Sequence, residues 1–206
     1  MFLPVLVSAA PEQSGKEIEA LTKLLSPYRQ SSGLTSPVEK SFFQEFKGKT
    51  DLSQGRISLY KGRLKLKISS PEESQSLMVL NSKALWLEVP FGEGFPPSVT
   101  KVPLKSFKSL EGVWSLLLGK GALSDIFEVS KRDLKNGEFV LKPKKVKDSD
   151  LDQVELKFSG SDLSQLTYED QLGNRVGYKF EDWKSKKMLM NEFEYTPPEG
   201  ASVSEL

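Results

Sequence analysis

The chain has 206 residues and a net charge of +1 from 29 basic and 28 acidic residues, and 37% of it is hydrophobic. That length fits one domain, and the even charge balance gives no electrostatic case for nucleic acid as a partner. With no histidine and no cysteine, the chain cannot build a Ser-His-Asp or Cys-His site, an ordinary zinc site or a disulfide.

Acid–base work by paired carboxylates is the remaining catalytic option. The candidates, Glu72-Glu73 and Asp148/Asp150/Asp152, sit in turn-like segments and read as solvated turn residues. The cluster Lys142, Lys144, Lys145 and Lys147 reads as a solvated loop in the same way. The expectation is a protein that is not an enzyme, with no catalytic residue, no cofactor and no metal. An esterase would need a histidine or a Gly-x-Ser-x-Gly elbow, and the sequence has neither.

The chain opens with a short apolar run, Phe2 to Val7, followed by Ser8-Ala9-Ala10. Small residues at these positions fit cleavage before Ala10, although no Lys or Arg precedes the run. Residues 1–9 are therefore expected to be the remnant of a secretory signal, and 10–206 a single domain. No stretch approaches the ~20 apolar residues of a membrane span.

Ser14 to Tyr28 reads as a helix. Ser14 and Glu17 have the spacing of a capping box, and Ile18, Leu21, Leu24 and Leu25 follow at helical spacing. Pro27 and Gly33 close it. A first strand is expected over Glu39–Lys47, carrying Phe42, Phe43 and Phe46. From Gly55 to Pro90 alternating runs separated by turn residues predict an antiparallel meander: Ile57/Leu59, then Leu64/Leu66/Ile68, then Leu77–Leu80, then Leu85/Leu87/Val89. Strand side chains alternate between faces, so each run has one apolar side and one wet side. Trp86 falls on the face opposite Leu85 and Leu87.

The segment Phe91 to Pro97 is a Gly/Pro/aromatic loop. A short strand, 99–102, leads to a second helix over about 104–118, with Phe107, Leu110, Val113, Trp114, Leu117 and Leu118 on its apolar side and Gly119 and Gly121 ending it. Strands return at about 126–130, 138–142, 153–158, 164–169, 174–180 and 189–195, with hairpin residues at Lys135-Asn136-Gly137 and Gln171-Leu172-Gly173-Asn174. The sum is about eleven strands and two or three helices. A sheet of this length curls, and the two helices carry the stripes that can lie on its apolar face. The expected architecture is mainly β with α: an open, strongly curved antiparallel half-barrel covered by a helical lid around a hydrophobic cavity.

Four segments also resemble a known family. Phe43-Gln44 matches an early F-Q pattern. Ser70-Pro-Glu-Glu-Ser74 followed by Leu77-Met-Val-Leu-Asn-Ser-Lys-Ala-Leu-Trp86 is similar to a P-x-E-S, strand, D-G-K-x-L-W hairpin. Glu138-Phe-Val-Leu-Lys-Pro-Lys144 resembles F-x-L-x-P-K, and Phe193-Glu-Tyr-Thr-Pro-Pro-Glu-Gly-Ala-Ser-Val203 resembles a closing F-x-F-x-P-P-x-G-x-x-V. Together they resemble the LolA family of periplasmic lipoprotein carriers over about residues 17–203.

The resemblance implies a periplasmic chaperone, expected here as a monomer. It would bind the acyl chains of triacylated lipoproteins released by an inner-membrane ABC transporter and deliver them to an outer-membrane acceptor. The acceptor of that pathway shares the fold but is anchored through a lipidated cysteine, and this sequence has none. The expected cavity lining is Leu64, Leu66, Leu85 and Leu87 from the meander and Leu110, Val113, Trp114 and Leu117 from the second helix. Where the family often has Arg-Pro at the end of the second strand to hold the lid, this chain has Leu59-Tyr60-Lys61-Gly62-Arg63, which makes Lys61 and Arg63 the latch candidates. The alternative on the same fold is a carrier or sensor of another lipid or glycolipid.

Overall fold

The structure is a computed structural model. It describes residues 11–69, 75–92, 94–104, 110–119, 121–133, 135–144 and 150–206, without the side chains of 11–14 and 110–112. The expected signal remnant, the Glu72-Glu73 pair, Asp148, Lys145, Lys147 and Phe107 lie outside the described residues.

Helix α1 spans Pro11–Arg29. It starts upstream of Ser14, so the Ser14/Glu17 spacing falls inside the helix rather than at its cap. Its inward stripe, Leu21, Leu25 and Tyr28, is buried, with Ile18 and Leu24 at its margins. The chain then turns into the first strand at Gly33, whose φ of 142° lies where other residues rarely go. A side chain there would meet the carbonyl oxygen of Lys186.

Strands β1 (Leu34–Gln44), β2 (Lys49–Tyr60), β3 (Arg63–Ser69), β4 (Ser76–Leu80), β5 (Ala84–Val89) and β6 (Ser98–Pro103) form the expected meander. The first strand starts five residues earlier than its aromatics suggest. Phe46 belongs to a 3-10 turn, Glu45–Lys47, beyond the end of β1. Helix α2 spans Leu110–Leu118, and a short helix α3 (Leu123–Ile126) leads into β7 (Phe127–Asp133). Strands β8 (Glu138–Pro143), β9 (Leu151–Ser159), β10 (Asp162–Asp170) and β11 (Arg175–Phe180) follow as hairpins. Two short strands, β12 (Lys184–Ser185) and β13 (Ser202–Glu205), complete the chain.

The strands join one sheet in the order β13-β6-β5-β4-β3-β2-β1-β11-β10-β9-β8-β7, with β12 added beside β1. The central pairing is β1 with β11, which brings Val38 opposite Phe180 and Lys40 opposite Tyr178. The sheet is large, curved and open, with β13 and β7 as its two free edges.

One face of this sheet wraps the helices. Ile57, Leu59, Leu64, Leu66, Leu80, Leu85, Val154, Leu156, Leu166 and Tyr178 share a single core with Leu21 and Leu25 of α1 and with Val113, Trp114 and Leu116–Leu118 of α2. The register explains why. Leu59 pairs with Leu64, Leu64 with Leu80, and Leu80 with Leu85, so the apolar residue of each strand falls on the same side.

The opposite face is covered on one half by the C-terminal segment, where a strand over 189–195 is expected from sequence. The segment instead pairs briefly with β1 through β12 and makes a 3-10 turn at Met190–Phe193. It then crosses β2–β5 as an irregular strap and ends as β13, parallel to β6. Phe193 stacks on Tyr60 at 5.8 Å and Tyr195 on Trp86 at 5.2 Å. The Tyr195 hydroxyl donates to Glu88 Oε2 at 2.6 Å, and Asn81 Nδ2 donates to the Phe193 carbonyl at 3.3 Å. Trp86 thus lies under the strap, on the face away from the helices.

Candidate functional site

The candidate site is the interior between the curved sheet and α2. The sequence makes α2 apolar on nearly all sides: Val113, Trp114, Ser115, Leu116, Leu117 and Leu118 are all buried. A short helix of this kind has little stability of its own and depends on packing. Trp114 lies edge-on to Tyr178 of β11 with ring centroids 5.1 Å apart. The helix ends at Gly119, whose φ of 67° is the left-handed stop of a helix C-terminus and whose N–H donates to the Ser115 carbonyl at 3.0 Å.

That end of α2 is held by Arg29. Its Nε–H donates to the Leu116 carbonyl at 2.8 Å, and its aliphatic stem lies against the bare face of Gly119. The Arg29 Nη2 is buried with no hydrogen-bond partner, and burial lowers the guanidinium pKa from its ordinary value. A cation aimed at the carbonyl end of a helix also meets the negative end of its dipole.

Of the residues expected to line the interior, Leu64, Leu66, Leu85, Val113, Trp114 and Leu117 are buried in the shared core and Leu87 packs at its edge. Leu110 is the first residue of α2, and its side chain is outside the described residues. Side chains of α1 and α2 fill the space these residues surround.

The two latch candidates stand at the β2–β3 turn. Lys61 has φ 46°, gives its N–H to the Ser31 carbonyl at 2.8 Å, and places its ammonium 5.3 Å from the Tyr60 ring centre. Arg63 Nη1 donates to the Lys61 carbonyl at 3.3 Å. Sequence reasoning missed Arg29, although a basic residue in the last turn of an amphipathic helix is a signal for a helix-terminus contact.

Two further polar groups line the interior and were also missed. Burial pushes the Tyr178 phenol well above its ordinary pKa and the Tyr168 phenol up to about 12, and the two hydroxyls are hydrogen-bonded to each other. On the α1 side, Tyr28 Oη accepts the Leu163 N–H at 2.6 Å, and Trp183 Nε1 donates to the Leu163 carbonyl at 2.8 Å. The Tyr28 bond fixes α1 to β10, and Trp183, edge-on to Tyr28, is tied to the same residue, so α1 is part of the frame. Helix α2 is held in part by apolar contacts and by the Arg29 bond.

No group of three or more acidic residues placed to hold a metal occurs among the described residues. No helix among them is long and apolar enough to cross a membrane.

A curved, open sheet wrapped around helices through one apolar core defines the class, a half-barrel covered by helices. The chain belongs to the family described as outer membrane lipoprotein carrier protein LolA, whose sequence model matches residues 35–196. Proteins of this family are extracytoplasmic carriers that bind lipids or lipoproteins.

Several solved structures are similar to this chain. An uncharacterized conserved protein from Thermus thermophilus is 11% identical with a TM-score of 0.51, over 94% of this chain and all of that one. A LolA superfamily protein from Nitrosomonas europaea is 13% identical with a TM-score of 0.46, over 86% of this chain and 97% of that one. The Mycobacterium tuberculosis lipoprotein LppX is 10% identical with a TM-score of 0.40, over 82% and 96%. No curated protein matches the chain in sequence.

Proposed function

We propose that this protein is a periplasmic carrier that takes up the acyl chains of lipoproteins beneath α2 and delivers them to an outer-membrane acceptor. The observation that carries the proposal is the way α2 is held. Five apolar side chains, Val113, Trp114, Leu116, Leu117 and Leu118, are inserted into the sheet's curved face, with Arg29 as the polar tie.

Burying an apolar side chain stabilises by about 2 kcal/mol, so the helix contributes roughly 10 kcal/mol of contact. An acyl chain of some fourteen methylenes is worth about the same, at about 0.8 kcal/mol each. The helix is thus matched to one such chain of the cargo, so that one chain can replace it reversibly. A cargo that displaced α2 would meet Leu64, Leu66, Leu85, Leu87 and the buried Tyr168–Tyr178 pair. The inner-membrane ABC transporter would supply the cargo, and Lys61 and Arg63 would secure the turn next to the lid.

The test is release. Spheroplasts making a labelled triacylated lipoprotein are incubated with the purified protein, and the soluble fraction is probed for a one-to-one complex. Recovery of the complex is the expected result. Retention of the lipoprotein in the membrane, with binding of free lipid by the same protein, would replace this reading with a carrier of another lipid or glycolipid.

A further inference from the structure

Because the sheet is built from consecutive antiparallel strands, its loops fall alternately on two rims, and the two rims differ in chemistry. At one rim are the turns Lys61-Gly62, Asn81-Ser82-Lys83, Lys135-Asn136-Gly137 and Gly160-Ser161. These turn residues are polar or glycine, and the exposed Leu189 and Met190 of the strap stand beside them, next to Phe193, whose carbonyl Asn81 holds.

At the other rim the β1–β2 turn carries Phe46, 99% exposed, and the β10–β11 turn carries Leu172, 78% exposed. The β5–β6 loop there carries Phe91 and Phe95, 73% and 68% exposed. Leu52 and Val89, also exposed, stand just behind them on β2 and β5. Six of the ten large apolar side chains exposed among the described residues therefore crowd one rim. The other four, Leu189, Met190, Val203 and Leu206, lie on the C-terminal strap and β13.

The tips are also held in place. Glu45 N–H donates to Asn174 Oδ1 at 3.1 Å, which ties the Phe46 turn to the Leu172 turn. The Asp170 carboxylate accepts from the backbone of Leu172 and Asn174, so its charge is spent inside its own turn. Phe91 and Phe95 contact each other edge-on at 6.4 Å.

We infer that this rim seats the protein on a lipid bilayer surface, with Phe46, Phe91, Phe95 and Leu172 entering the headgroup–acyl boundary. Single apolar side chains at the ends of separate loops form no groove and match no shape, and a bilayer demands none. A protein partner would need separate pockets for the joined Phe46 and Leu172 turns and for the Phe91–Phe95 pair on the β5–β6 loop. Exposed Lys47 and Lys144 stand at the same rim beside exposed Glu45, Asp150 and Asp152, so the rim carries both signs of charge and the apolar tips, rather than a basic patch, carry the inference. Scattered single apolar residues need no explanation, but six of the ten exposed among the described residues standing at one rim do. The inference goes beyond the carrier reading and does not depend on which cargo is bound.

The test uses the full chain and large unilamellar vesicles of phosphatidylcholine, with and without phosphatidylglycerol, read by co-sedimentation. The fourfold variant Phe46→Ser, Phe91→Ser, Phe95→Ser, Leu172→Ser alters only exposed side chains, and an unchanged melting temperature checks that it folds. Vesicle partition is expected for the natural protein on both compositions, falling about tenfold or more in the variant. A tryptophan placed by Leu172→Trp should be quenched by lipids brominated along the acyl chain, and one placed by Ser82→Trp on the opposite rim should not.

Equal partition of the variant and the natural protein, or partition abolished by salt alone, would overturn the inference. So would a rim that matters only when a membrane protein is reconstituted into the vesicles. Lipopeptide binding in solution should survive in the variant; its absence in the natural protein would instead count against the carrier reading.

Discussion

Arg29 of α1 donates from Nε to the carbonyl of Leu116 in α2 across 2.8 Å, a polar bond that joins the framework helix to the helix filling the sheet. The same side chain covers Gly119 at the helix stop. Arg29→Ala should lower stability by about 1.5–3 kcal/mol, the range for a hydrogen bond made by a charged group. It should also speed amide exchange in 110–118 more than in α1. Uniform acceleration across the chain would mean that Arg29 supports the fold as a whole. Arg29→Lys keeps the charge but lacks the planar fork, and should behave like the alanine variant.

Leu117 is fully buried at the centre of α2. Leu117→Ala should cost about 2–5 kcal/mol by chemical denaturation if the surrounding core does not collapse into the gap. The gap itself is a vacancy among the residues proposed to meet cargo, so an apolar dye should bind the variant more tightly than the natural protein. Destabilisation without any gain in dye binding would place Leu117 in a core that does not open.

Gly33 holds φ 142° where α1 turns into β1, against the Lys186 carbonyl. Gly33→Ala combines a conformation of about 1–3 kcal/mol strain with a backbone collision. A melting temperature within a degree of the natural protein's would show that the turn relaxes freely.

Stability should fall on the alkaline side. Tyr178 and Tyr168 have pKa values raised by burial, as does Tyr28. Tyr195 is raised by burial and by its bond to Glu88. A phenol whose pKa is higher folded than unfolded favours the protonated native state. Its contribution is complete below the unfolded value of about 10 and is lost as pH rises through the folded values. The urea midpoint should therefore decline above about pH 10, with delayed ionisation of these tyrosines in the ultraviolet. A flat profile to pH 12 would contradict their burial.

Much of the fold was legible because a period-two pattern survives wherever one sheet face is buried. The alternations in 57–59, 64–68 and 85–87 became β2, β3 and β5 with their leucines on the helix side. The family motif at Phe193–Val203 was legible as a motif but not as a shape. Its Phe193 and Tyr195 are held by contacts with Tyr60 and Trp86 more than a hundred positions away, which no local pattern carries. The early start of β1 was hidden for a similar reason. Ser36 and Pro37 are poor strand residues, and pairing with β2 overrides their preference. The site was half legible: the apolar stripe of α2 can be read from its spacing, whereas the Arg29 bond exists only once two helices distant in sequence are packed together.

The central claim is that cargo replaces α2. A chain in which Trp86→Phe and Trp183→Phe leave Trp114 as the single tryptophan can be titrated with a triacylated lipopeptide, following emission and amide exchange together. The account predicts saturable one-to-one binding, a shift in Trp114 emission as it leaves Tyr178, and loss of protection across 110–118. Binding that leaves Trp114 emission and α2 protection unchanged would contradict it.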